Sequence, residues 1–200
     1  NLKILEDNCE AVGGKYKNKY LGTIGDVGVF SFDYGKMITT GEGGMILTNS
    51  KKIDKFCREY HDHGHQNNPN FPRGKDTKKI YGFNYRMTEM QGVLGKIQLK
   101  KLKFMIKENE ARYNILDKYI SKIFDVRLIP PQSNGSYDAY IFFVENSKIR
   151  KKILLYLSDI KLGTKNLPDA MEWHCSFFWE HALDKKNIQR SLKTKKLLTK

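Results

Sequence analysis

The sequence holds no apolar run approaching the ~20 residues that span a bilayer, and no secretory signal. This excludes a membrane span from the reading. Cysteine is scarce. Cys9, Cys57 and Cys175 are an odd, widely spaced set with no metal-type pair, which points to a reducing, cytoplasmic setting. Acidic residues are also few: 22 Asp and Glu against 36 Lys and Arg leave a net charge of +14. A basic nucleic-acid-binding module is therefore one alternative. The lysines are scattered, however, and no glycine-aromatic RNA-binding signature or zinc-finger spacing accompanies them. A solvated lysine surface is preferred, compatible with attraction of an anionic substrate. No internal repeat is present, nor any low-complexity segment beyond the lysine bias. The chain opens at Asn1 without Met and closes in a Lys/Leu-rich helical pattern, so both ends read as cut. Two hundred residues suit one domain, or one and a half.

What is present begins with a short strand over 2–5 that ends at Glu6-Asp7. An aspartate at the carboxyl end of a strand suits a ligand crevice in an α/β sheet. Residues 8–12 read as one helical turn stopped by Gly13-Gly14, and 15–19 as a polar hairpin tip. An apolar, β-branched and aromatic run over 27–32 predicts a buried strand. It breaks at Asp33-Tyr34-Gly35 and delivers Lys36 into a loop with Thr39, Thr40, Gly41, Gly43 and Gly44. A second strand follows over 45–48. A lone lysine between two strands is costly unless partnered, and glycines beside it let backbone approach a ligand.

Ser50 is a candidate N-cap for a helix over 51–60. Residues 61–76 read as a long loop, of the kind often used as a lid or interface arm. Thr88 with Gln91 forms a capping box for the longest helix, whose apolar stripe starts at Met90, Val93, Leu94 and Ile97. After Asp125 strands are expected over 126–129, 139–144 and 162–165, with a helix over 147–157 capped by Ser147. The strand-rich order with intervening helices predicts an α/β fold.

The pattern Ser-Phe-three residues-Lys, closing on Gly-Glu-Gly-Gly, resembles the cofactor-lysine loop of the DegT/StrS-type sugar aminotransferases, pyridoxal-phosphate enzymes of fold type I. The resemblance spans nearly the whole chain. It implies a mixed-sheet large domain, of which 1–105 is the C-terminal part, and a smaller α/β domain over 106–200. It makes Lys36 the Schiff-base lysine, whose amine is expected to be freed by burial beside cationic groups. In Glu6-Asp7-Asn8-Cys9-Glu10-Ala11 the family's aspartate falls on Asp7, which keeps the pyridine nitrogen protonated. Glu10 falls near the ring's phenolic oxygen, where the family more often has Gln or His. Ser31 matches the phosphate-contacting serine. Asn84, in Asn-Tyr-Arg, matches a segment that reaches the partner's cofactor phosphate across a homodimer with shared active sites, with Arg86 beside it. Asp33 stands where many relatives have His.

The alternating histidines His61, His63 and His65 invite a metal reading, but no completing ligand has a fitting spacing. A substrate- or interface-lining loop is preferred, and no metal is expected. This loop with Asn67-Asn68-Pro69 and Arg73-Gly74, and the stretch 163–170 with Trp173-His174, resemble the branch that aminates a keto-octulosonate. That branch makes 8-amino-3,8-dideoxy-manno-octulosonate for lipopolysaccharide. The resemblance implies transamination of a keto sugar, nucleotide-linked or keto-octulosonate, with glutamate as the amino donor. The family's dehydratases replace the lysine by histidine, so Lys36 argues for transamination. The rival is a non-catalytic fragment of such an enzyme.

Overall fold

The computed structural model describes residues 2–165, 174–189 and 193–194. The chain divides into two compact units, Asn1–Ile141 and Phe142–Lys200.

The first unit is built on a mixed three-stranded sheet. Its strands are β1 (Leu5–Asp7), β4 (Val27–Ser31) and β5 (Gly44–Leu47), in the order β1-β4-β5. The first pair is parallel, with Asp7 opposite Val29, and the second is antiparallel, with Ser31 opposite Gly44. The carboxyl ends of β1 and β4 and the start of β5 thus share one sheet edge. The 27–32 run forms the expected strand through Ser31, but only Gly28 in it is buried, the rest being half-buried. Gly28 is required there: a Cβ at this position would stand 2.2 Å from the Gly22 carbonyl oxygen. Glu6 pins the same stretch, its carboxylate accepting N–H bonds from Gly22 (2.8 Å), Ile24 (2.8 Å) and Gly25 (2.6 Å).

A second small sheet joins β2 (Lys15–Tyr16), β3 (Lys19–Tyr20) and β6 (Ser133–Asn134), all antiparallel. Lys17 and Asn18 between β2 and β3 both have positive φ, 47° and 63°, the backbone that a tight two-residue hairpin demands. The expected helical turn over 8–12 is instead two successive turns, closed by Ala11 N–H to Asn8 O and Gly14 N–H to Ala11 O.

Helix α1 (Lys51–His61) is capped by Ser50, whose hydroxyl accepts the Ile53 N–H. Helix α2 (Glu89–Ile120) carries the complete Thr88–Gln91 capping box and runs for 32 residues inside the first unit. Gly13 lies against it, so closely that a Cβ would meet Ile106 Cδ1 at 2.6 Å. The start of the expected stripe, Met90, Val93, Leu94 and Ile97, is exposed in this chain.

In the second unit α3 (Ser147–Asp159) is followed by a 3-10 turn (Ser176–Phe178) and α4 (Lys185–Gln189). The cap of α3 is Asn146 and not Ser147. The Asn146 side chain accepts from both Lys148 and Ile149 N–H, leaving Ser147 inside the first turn. Residues 126–129, 139–144 and 162–165 form no strands. A β-prone run becomes a strand only where several successive residues pair with a neighbour; here the Arg127 N–H donates to Ile141 O (3.0 Å) without a strand forming. Of the stretch 163–170 with Trp173, residues 166–173 lie outside the described residues. Among the described residues no helix is long and apolar enough to cross a membrane.

Candidate active site

Lys36 is carried by a turn that Asp33 builds. The Asp33 carboxylate accepts the Gly35 N–H (2.6 Å), its carbonyl accepts the Lys36 N–H (3.1 Å), and its own N–H donates to Ser31 Oγ (3.4 Å). Behind the turn, Phe32 ties the loop back to the sheet edge by donating to Gly43 O (2.8 Å) and accepting from Thr40 N (3.0 Å). Ile38 is the buried apolar anchor. Gly41, with φ of +84°, has nothing within 4 Å of where a Cβ would sit. The loop is thus fixed at both ends and open at its glycine.

The chain turns after β1 so that Asp7, Cys9 and Glu10 face this loop. Asp7 Oδ1 accepts the Cys9 N–H (3.1 Å). The thiol and backbone N–H of Cys9 hold the Asp7 carboxyl below its usual range, with Lys36 adding to the effect. Asp7 is therefore a carboxylate at neutral pH, the form that pairs with a cationic ring nitrogen. Burial, then the Asp7 carboxylate, push the Cys9 thiol up. Lys36 Nζ forms an ion pair with Glu10 Oε1. The lysine side chain is only 18% exposed and that of Glu10 69%.

That pair corrects one expectation. Among the described residues no cationic group is found that lowers the Lys36 pKa. The hydrogen bond to Glu10 raises its pKa against the opposing effect of burial, and Asp33 and Cys9 add to the rise. The sequence placed an ammonium in a glycine-rich turn. It did not show that residues from two separate turns would surround it with negative charge.

Asn84 belongs to a different cluster. Among the described residues no hydrogen bond or ion pair joins it to Lys36, Asp7, Glu10 or Ser31. It bridges Asp62, and its side-chain oxygen accepts from Arg86 Nε (2.9 Å). Asp62 is the hub. It is buried, bonded by both terminal nitrogens of Arg73 (3.0 and 2.5 Å) and 3.5 Å from Arg86 Nε. Sequence reasoning missed this role, because an Asp between two histidines reads as part of a metal pattern. Among the described residues no group of three or more His, Cys, Asp or Glu is arranged to hold a metal. His65 instead lies 3.5 Å from Asp76, which accepts the N–H groups of Asn67, Asn68 and Thr77 and ties the loop together. Ser136 was also missed. It is buried, and its hydroxyl donates to Asp138 (2.8 Å) and to the backbone oxygen of Glu10 (3.4 Å).

One sheet edge therefore presents a shielded primary amine, an ionised carboxylate and a serine hydroxyl. This donor set fits an aldehyde-bearing cofactor with a basic ring nitrogen and an anionic arm: the amine for the carbonyl, the carboxylate for the ring, the hydroxyl for the anion.

Comparison with known proteins places the chain in a family. The description of the DegT/DnrJ/EryC1/StrS aminotransferase family matches residues 1–194. GDP-perosamine synthase of Escherichia coli O157:H7 is 32% identical over 165 residues, covering 82% of this chain and 44% of that protein. The chain thus spans less than half the length of that relative. Among solved structures, the Helicobacter pylori aminotransferase involved in pseudoaminic acid biosynthesis superposes with a TM-score of 0.72 at 27% identity, over 92% of this chain and 50% of that one. The E. coli GDP-4-keto-6-deoxy-D-mannose-3-dehydratase with bound hydrated pyridoxal phosphate gives 0.68 at 29% identity, over 82% and 46%. The fold is that of the fold type I aminotransferases, and the chain belongs to the DegT/DnrJ/EryC1/StrS aminotransferase family.

Proposed function

We propose that this chain serves the pyridoxal-phosphate-dependent transamination of a nucleotide-linked keto sugar for cell-surface polysaccharide synthesis. The observation that carries the reading is the convergence of Lys36, Asp7 and Ser31 on one sheet edge, with Asp7 held ionised. Bound pyridoxal phosphate supplies an electron-accepting ring on which an amino group passes from donor to sugar carbonyl. Lys36 is the covalent anchor and the proton carrier at its Nζ. Asp7 faces the ring nitrogen, Ser31 donates to the phosphate, and Glu10 lies toward the ring's phenolic oxygen. Asn84 serves the phosphate of a second copy in a homodimer. Its position in a separate cluster supports that reading. Residues 1–105 belong to the large cofactor domain and 106–200 to the small one. Glutamate is the amino donor, and the setting is the cytosol, in line with three free thiols.

The nucleotide-linked sugar is preferred because the named relatives include a GDP-perosamine synthase and a UDP-linked altrosamine transaminase. A keto-octulosonate is the second candidate, supported by the likeness over 61–74 and 163–174. The test is borohydride trapping with pyridoxal phosphate and peptide mapping, followed by a keto-sugar screen with glutamate and mass identification of the amine. We expect an adduct at Lys36, none in Lys36→Ala, and amination of nucleotide-linked sugars. Absence of the Lys36 adduct overturns the cofactor assignment. Amination of keto-octulosonate alone overturns the substrate.

A further inference from the structure

A chain carrying 36 basic and 22 acidic residues surrounds one lysine with acids. Lys36 faces Asp7 from the end of β1, Cys9 and Glu10 from the turn after it, and Asp33 from its own turn. Among the described residues no ion pair or hydrogen bond brings a cation to Lys36. From α2, Asn109 reaches Met37 Sδ (3.6 Å), and Ser136, bonded to Asp138, donates to the Glu10 carbonyl. Of the acids, Glu10 alone forms an ion pair with Nζ. The backbone of Glu10 is held from behind by a buried serine, whereas its carboxylate is open to solvent. That carboxylate lies against the ammonium in front of it.

We propose that Glu10 is a positioning residue: the counter-ion that sets the pH at which the Lys36 amine becomes available for attachment to a carbonyl. Its bearing on cofactor loading rests on the function proposed above. Attachment requires the neutral amine. A C=N bond replaces the C=O bond, the carbonyl oxygen leaves as water with two of the nitrogen's protons, and the third proton of the ammonium passes to solvent. While the ion pair stands, the nitrogen lone pair is occupied by that proton and the reaction waits. Breaking the pair is therefore the first step of loading. If the Glu10 carboxylate moved away from Nζ, the group that held the proton there would be gone.

The test separates this claim from the cofactor assignment by using two aldehydes. Formaldehyde with cyanoborohydride methylates any available amine. Pyridoxal phosphate with borohydride reads the specific site. Labelling at Lys36 is measured by peptide mass mapping at several pH values near 8, relative to the exposed Lys19 as internal standard. In Glu10→Gln the Lys36 methylation rate is expected to rise several-fold, roughly in step with the larger share of neutral amine, with the ratio narrowing at higher pH. Glu10→Asp should restore part of the suppression. An unchanged Lys36 rate and pH profile in Glu10→Gln, with circular dichroism unchanged, overturns the proposal. A Lys36 that responds to Glu10→Gln toward formaldehyde yet takes no pyridoxal phosphate in either form supports the ion-pair control and overturns the cofactor assignment instead.

Discussion

Asp7 and Asp62 show how one residue type serves two ends. Asp7 is exposed, so its removal is expected to leave the fold intact and, in the function proposed, to deprive a cationic ring of its partner. Asp7→Asn is expected to lower transamination about a hundredfold or more, the scale of losing one acid–base group, with an unchanged thermal midpoint. Steady-state kinetics beside a melting curve check this. Asp62 is buried, and its two arginines are about half exposed. Asp62→Ala frees guanidiniums that water can still reach, so the cost is that of charge-assisted hydrogen bonds and not of stranded buried charge. About 1–2 kcal/mol is expected, read by denaturant titration. Arg73 holds the Asp62 carboxyl below its ordinary range. A carboxyl lower in the folded than in the unfolded chain contributes stability above its unfolded value of about 3.9. That contribution is lost as pH falls through the folded value. Glu6 behaves likewise, since three backbone N–H groups outweigh its burial and hold it low. Amide exchange over 62–86 and 22–25 should thus accelerate below about pH 4, ahead of α1.

At the scale of elements, local chemistry was legible and partnership was not. Ser50 and the Thr88–Gln91 pair could be read directly, because a cap is a hydrogen bond between residues three apart. The hairpin at Lys17-Asn18 was legible for the same reason. The cap of α3 was misplaced by one residue, since Asn146 and Ser147 are both capping types and only the backbone decides between them. Strands failed where pairing did not extend over several successive residues, as at 139–144. The negative surroundings of Lys36 depend on Glu10 arriving from 26 residues away, which no pattern in the 28–44 stretch contains. The glycines of the central sheet give the test at this scale. Gly28→Ala places a methyl group against Gly22 backbone that cannot give way. A loss of about 1–3 kcal/mol or more is expected, together with loss of pyridoxal phosphate trapping at Lys36. A Gly41→Ala control, with open space but a positive φ, should cost less.

For the whole molecule, the separation of Asn84 from Lys36 makes a prediction about copies. If each site draws Asn84 from a second chain, Lys36→Ala and Asn84→Ala chains are each inactive alone. Mixed and reassociated, they should recover roughly a quarter of wild-type activity, since half the dimers are mixed and each has one complete site. No recovery, with mixed dimers demonstrated by mass, would place Asn84 outside the phosphate site. The exposed faces of β5 and of the start of α2 offer apolar surface for such pairing.

The bond from Ser136 to the Glu10 carbonyl spans 126 positions of sequence, and β6 seals the β2 hairpin across a similar gap. On a ribosome adding about 5–20 residues per second, the nascent reactive edge would wait roughly 6–25 s for this support to be made. Through that interval the ammonium-bearing turn exists without the segment that backs its counter-ion.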